Sequence, residues 1–207
     1  MNPRRRRILS AAGVLAGLSA AGVMPVFAHG RAPTGAADAA RGSSDAQGRG
    51  AGGAGGAEGD RSITLISLHT DEHLAVEYAR GGAYLPAALD KIENVLRDFR
   101  TGDRHVIDPA LMDYLCDAAQ ALGVQPRFRV ISGYRSPKTN AQLHERSAGV
   151  AQHSLHMEGR AIDVRLAGID CADLAARAVQ MQRGGVGYYR ASDFVHLDTG
   201  RFRTWKG

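Results

Sequence analysis

The stretch Gln152-His153-Ser154-Leu155-His156-Met157-Glu158-Gly159-Arg160-Ala161-Ile162-Asp163-Val164 sets an imidazole and a carboxylate on either side of a glycine turn that runs into a strand. From Arg160 onward the residues alternate in kind. Ile162, Val164 and Leu166 fall on one face of a strand, and Ala161, Asp163 and Arg165 on the other. A second segment, Phe194-Val195-His196-Leu197-Asp198, alternates the same way, with Val195 and Leu197 set against Phe194, His196 and Asp198. Aspartate is disfavoured in strands, yet both segments carry one. A lone histidine or a solvated aspartate needs no special role, but two strands that turn polar groups away from their aliphatic faces are harder to explain without one. His156, Asp163 and His196 form a set of two imidazoles and one carboxylate, which suits Zn2+ held by three protein groups with a fourth position open to water. An open position points to chemistry rather than to a structural clip.

The pattern Ser154-x-His156-x-x-Gly159-x-Ala161-x-Asp163, followed by a late histidine in a short strand, resembles the signature of the zinc D,D-peptidases of the M15 and hedgehog-like superfamily. Four further segments are similar, in order, to the MepK-type (YcbK-like) murein endopeptidases of that superfamily. They are Ser132-Gly133-Tyr134-Arg135-Ser136, Gly149-Val150-Ala151, Gly184-Gly185-Val186-Gly187-Tyr188-Tyr189, and Phe194-Val195-His196-Leu197-Asp198-Thr199-Gly200. The resemblance covers residues 61–205. It implies an α+β fold: a small antiparallel sheet with helices packed on one side and a hedgehog/D,D-peptidase-like zinc cleft. It also implies zinc-dependent cleavage of the peptide cross-links of peptidoglycan. A D-alanyl-D-alanine carboxypeptidase would need the same site, and a non-catalytic domain that binds zinc or peptidoglycan could share the fold. Spacing does not separate these readings.

Metal-assisted hydrolysis needs a group that takes the proton of the attacking water and passes it to the leaving amine. Asp193, three residues before His196, resembles the acid of the acid-x-x-His pattern in several relatives, and it is the favoured base. The carboxypeptidase branch has a histidine two residues before the ligand, where this chain has Phe194. Asp198, two residues after His196 on the same strand face, is the second candidate; it could equally orient the imidazole of His196. Arg135 lies where a strand (Phe128-Arg129-Val130-Ile131) gives way to a helix opened by Ser136-Pro137. A guanidinium at that corner can bind a substrate carboxylate or stabilise the oxyanion of a tetrahedral intermediate. His153 belongs on the rim rather than in the ligand set.

Residues 1–28 begin with Arg4-Arg5-Arg6-Arg7, continue through an apolar run of Ala, Val, Leu and Gly, and end at Val26-Phe27-Ala28, the layout of an export signal. The Arg-Arg pair followed by Ile8-Leu9 resembles a twin-arginine signal. The protein is therefore expected outside the cytoplasm, in the periplasm or cell envelope, and at the membrane only if the signal stays as an anchor. Formal net charge is +5, four units of it in that signal, so the remainder carries about +1 and lacks the clustered basic face that nucleic-acid binding requires. Residues 29–60 hold no aliphatic side chain larger than Ala and have nothing to bury, so a flexible linker is expected.

The folded domain is expected over residues 61–207. It should open with a hairpin whose polar turn carries His69 and His73 as solvated side chains. Pro86 then starts a helix with the stripe Leu89, Ile92, Leu96 and Phe99, and Asp108-Pro109 starts another with Leu111, Leu115, Ala118 and Leu122 buried. Residues 170–182 should form a further helix with Leu174, Ala178 and Met181 inward. Cys116 and Cys171 lack metal-ligand spacing and are expected as free thiols.

Overall fold

A computed structural model describes residues 59–146 and 151–207. The expected export signal and nearly all of the expected linker lie outside the described residues, as do residues 147–150 of the loop before His153. Among the described residues the chain runs β1 (Arg61–Ser67), β2 (His73–Arg80), β3 (Ala83–Tyr84), α1 (Pro86–Val95), α2 (Pro109–Ala121), β4 (Arg127–Ser132) and α3 (Pro137–Arg146). A short 3₁₀ turn, Leu155–Glu158, follows, and then β5 (Ala161–Leu166), α4 (Cys171–Met181), β6 (Gly185–Tyr189), β7 (Phe194–Asp198) and β8 (Arg203–Lys206).

The strands form one sheet in the order β3-β2-β1-β4-β5-β7-β6-β8. The fold is α+β, as expected, but the sheet is larger than a small antiparallel one and is mixed. β1 runs parallel to β4 and β6 parallel to β8, while the other neighbours are antiparallel. A parallel pair needs a crossover, and α1 and α2, inserted between β3 and β4, supply it for β1 and β4.

Local chemistry sets the helix starts. Pro86 and Pro109 occupy first-turn positions, where a missing N–H costs nothing, and the Asp108 carboxylate accepts the Ala110 N–H at 3.0 Å. α1 stops at Val95, so Leu96 closes the helix and Phe99 lies beyond it, where its ring stacks on His69 with centroids 3.9 Å apart. One face of the sheet is apolar: Ile63, Leu65, Phe128, Val130, Ile162, Val164, Val186, Val195 and Leu197 join Ile92, Leu111, Leu115, Leu174 and Ala178 of the helices in a single core. Asp163, His196 and Asp198 alternate with these residues and so stand on the opposite face. Cys116 and Cys171 are both free. No helix among the described residues is long and apolar enough to cross a membrane.

Candidate metal centre

Three elements bring the expected ligands together. Asp163 on β5 lies directly across the ladder from His196 on β7, which puts their side chains side by side on the same face. His156 arrives on the 3₁₀ turn, opened by Ser154, whose Oγ accepts the His156 N–H, and closed by Gly159 at φ 66°. A side chain at Gly159 would strike the Val106 carbonyl, so the turn can pack this closely only with glycine.

His156 Nε2, Asp163 Oδ1 and His196 Nδ1 face one another at 3.3, 3.2 and 2.9 Å. A tetrahedral ion with bonds of about 2.0–2.2 Å requires ligand atoms about 3.3 Å apart. Three donors therefore stand close to three corners of such a tetrahedron. All three residues are buried, and they are the cluster of His, Cys, Asp and Glu side chains that could hold an ion among the described residues.

The outer nitrogens are spoken for. His156 Nδ1 lies 2.7 Å from the Gly133 carbonyl, an acceptor, so the proton sits on Nδ1 and the Nε2 lone pair faces the site. The Arg135 N–H closes the return link by donating to the His156 carbonyl at 3.1 Å. His196 Nε2 lies 3.1 Å from Asp198 Oδ2, which leaves Nδ1 toward the ligand cluster. Asp198 is fully buried and saturated. Its oxygens also accept the Gly185 N–H at 2.9 Å, the Gly200 N–H at 2.8 Å and a two-pronged guanidinium from Arg203 at 3.1 and 2.7 Å.

These contacts set the charges. Burial works against ionising Asp163, but the two imidazoles hold its carboxyl far below the usual range. Burial likewise opposes charge on His196, yet hydrogen bonds to Asp163 and Asp198 outweigh it and raise the imidazole to about 9. His156, buried and next to Arg135, is pushed down instead, chiefly by desolvation. The centre is thus built to hold positive charge between two buried carboxylates, which is what a bound cation supplies.

Arg135 also reaches the centre. Its guanidinium lies 3.6 Å from Asp163 Oδ2 and makes long contacts to Asn140 Oδ1 at 3.4 Å and Ser132 Oγ at 3.5 Å. Its Nε has no partner among the described residues. Arg135 and the three ligand side chains line a cleft of about 400 Å³, a volume that admits a peptide segment rather than an ion alone. His153 lines the same cleft from the loop, where the Asn140 amide holds the Ala151 and Gln152 carbonyls at 3.1 Å.

Asp193, the favoured base, stands apart from this set. It sits at φ 51° in the turn before β7, and its carboxylate is 70 % exposed and paired with Arg165 at 3.2 Å. It does not line the cleft. Nor is Asp198 free to take a proton from water, since each of its oxygens is already an acceptor in a buried network. Its Oδ2 stands 3.1 Å from His196 Nε2, where it can orient that imidazole.

Sequence reasoning missed several contributors. β8 brings Arg203 and Trp205 to the cleft wall, and β6 brings Tyr189. Trp205 packs against Gly187 across the β6–β8 pair, its ring 5.1 Å from that of His196, and this is possible because Gly187 has no side chain: a Cβ there would lie 2.4 Å from the indole. Asp98, buried after α1, accepts from the Ser136 N–H at 2.9 Å, the Ser136 hydroxyl at 2.7 Å and the Arg100 N–H at 3.0 Å, and so pins the corner that carries Arg135. The signal available for β6 was the run of glycines at its start, Gly184, Gly185 and Gly187, which marks a strand that another group approaches closely.

Comparison with known proteins agrees with this geometry. Residues 56–205 match the model of the family described as peptidoglycan L,D-endopeptidase MepK, of the M15 peptidases. The chain is 42 % identical over 145 residues to the peptidoglycan L,D-endopeptidase MepK of Escherichia coli (strain K12), covering 70 % of this chain and 80 % of that protein. It is 40 % identical over 148 residues, 71 % of this chain and 80 % of the relative, to the Haemophilus influenzae protein named "Probable peptidoglycan L,D-endopeptidase MepK". No solved structure matches the chain. A family match spanning the whole sheet and every residue of the ligand cluster, with relatives at this identity, means that the chain belongs to the MepK family of M15 peptidases.

Proposed function

We propose that this protein is an exported, zinc-dependent endopeptidase that hydrolyses peptide cross-links of peptidoglycan. The observation that carries the reading is the triangle of His156, Asp163 and His196 donor atoms at tetrahedral spacing, set in a cleft large enough for peptide. Two imidazoles and a carboxylate favour zinc over the oxygen-loving ions. The substrate and the choice of endopeptidase over carboxypeptidase are supported by the names of the relatives, and export by the sequence of residues 1–28.

In this reading His156, Asp163 and His196 hold the ion, which when bound acts as a Lewis acid on the scissile carbonyl and activates water for attack. The Gly133 carbonyl and Asp198 fix the tautomers of the two imidazoles. Arg203 holds Asp198 in turn. Arg135, desolvated and with an unused N–H, offers its guanidinium to a substrate carboxylate or to the carbonyl oxygen as it gains charge. The overall step forms a C–O bond from water, breaks the C–N bond, and delivers a proton to the leaving amine.

The test is digestion of purified cross-linked muropeptide dimers, followed by mass spectrometry. Dimers should give monomers, a chelator should stop the reaction and zinc should restore it. A protein that carries stoichiometric zinc and leaves every dimer intact would overturn the reading, while release of D-Ala from monomers alone would make it a carboxypeptidase. A His156→Ala protein that keeps stoichiometric zinc would overturn the ligand assignment.

A further inference from the structure

Hydrolysis of a peptide leaves negative charge on the carbonyl oxygen at the summit of the reaction, and a donor aimed at that oxygen lowers the barrier. The cleft wall formed by β6 and β8 contains such a donor. Tyr189 is the last residue of β6 and faces the ligand side of the sheet. Its ring is fixed from two directions. It stacks on Phe194 with centroids 4.5 Å apart and planes 13° apart, and Gly207 lies so close to its edge that a Cβ there would stand 2.4 Å from the ring.

The hydroxyl of Tyr189 receives the indole N–H of Trp205 at 3.0 Å. An indole nitrogen can only donate, so the tyrosine oxygen is the acceptor in that bond and its own proton remains for a third group. Among the described residues no acceptor takes that proton. Trp205 is itself held against Gly187, packs on the ring of His196 at 5.1 Å and lies under the Arg203 guanidinium at 5.0 Å. A tyrosine kept for packing alone would need only its ring, and phenylalanine would serve. Here a lone pair is occupied and a hydrogen is left over, in the cleft that the metal ligands line.

We propose that Tyr189 is a catalytic residue whose hydroxyl donates a hydrogen bond to the scissile carbonyl oxygen as it becomes an oxyanion, with Trp205 the positioning residue that directs it. The proton stays on the tyrosine throughout, and no covalent bond to it forms or breaks. The proposal rests on the peptidase reading above and adds to it, beside Arg135, a neutral donor that stabilises the developing charge.

The experiment compares the zinc-loaded full chain with Tyr189→Phe and Trp205→Phe, using dimer cleavage and, separately, binding of a phosphinate analogue of the cross-link peptide. Tyr189→Phe should lower kcat about 100-fold, the usual loss for one oxyanion donor, with KM within about twofold and zinc affinity in chelator competition unchanged. The phosphinate, which carries the oxyanion permanently, should bind about 10- to 100-fold more weakly. Trp205→Phe keeps a ring against His196 but removes the directing N–H, and should show a smaller loss in the same two readouts. A Tyr189→Phe protein with wild-type kcat and phosphinate affinity, or one that loses only in KM, overturns the proposal. A wild-type protein that neither cleaves dimers nor binds the phosphinate fails the peptidase reading itself, and the tyrosine assignment falls with it.

Discussion

Replacing Asp198 by Asn tests how the ligand His196 is held. The wild-type carboxylate accepts from four groups at once: the His196 imidazole, the Arg203 guanidinium, and the N–H groups of Gly185 and Gly200. An amide keeps one acceptor oxygen and turns the other position into a donor. If the oxygen stays on the Gly185 and Gly200 side, the new NH2 faces His196 Nε2 and Arg203, both donors, at a fully buried position. The imidazole then loses its anchor, and Arg203 loses the buried charge it neutralises. Loss of such an outer partner lowers metal affinity about 10- to 100-fold, or roughly 1.4–2.8 kcal/mol. Zinc affinity by chelator competition reads this directly, and Asp193→Asn provides the contrast. That residue is exposed and paired with Arg165, so its substitution should leave both zinc affinity and dimer cleavage within about twofold of wild type. Wild-type zinc affinity in Asp198→Asn would refute the anchoring role, and a fully metallated but inactive Asp193→Asn would restore Asp193 as the base.

Gly187→Ala should push Trp205 off β6, because the new methyl would lie 2.4 Å from the indole. The expected cost is roughly 1–3 kcal/mol of stability, and since Trp205 is the single tryptophan of the chain, its fluorescence should shift toward that of a solvated indole; unchanged emission and melting would contradict the packing. Burial opposes the charge on Asp98, but the donors of Ser136 and Arg100 hold its carboxyl down at about 2, against an ordinary 3.8. A carboxyl depressed on folding adds stability above its unfolded value, lost as pH falls toward its folded one, here roughly 2 kcal/mol. The stability gap between wild type and Asp98→Asn should therefore shrink as pH falls from about 4 to about 2, and a gap constant over that window would show that the charge does not matter.

The candidate ligands Asp163 and His196 were legible because strand alternation is a local signal: each stands between two aliphatic neighbours. Their pairing across β5 and β7 was not, since register between segments more than thirty residues apart depends on the whole sheet. Asp193 shows what a spacing motif leaves out. An acid three residues before a strand histidine would face the opposite side if the strand continued, and here the strand does not continue: the residue lies in a left-handed turn. The helix starts were visible in Pro86 and Asp108-Pro109, each a local device. Asp98, Tyr189 and Trp205 act through contacts made by distant segments, and nothing in their immediate neighbours announces these. The parallel pairing of β1 with β4, and hence the mixed sheet, likewise depends on how α1 and α2 cross over.

Because the candidate ligands and the core residues alternate along the same strands, the geometry of the candidate metal centre is set by the core. A slip of one residue in β5 would carry Asp163 into the helix-packed interior and turn Ile162, Val164 and Leu166 out to the cleft. Each of these side chains is worth roughly 1.5–3 kcal/mol buried, so the misaligned state lies several kcal/mol above the native one before any ion is considered. The hydrophobic face thus acts as a proofreader for the catalytic face. A single-residue insertion or deletion within β5 or β7 cannot damage one without destroying the other, whereas substitutions confined to the cleft side leave the fold free to vary its chemistry.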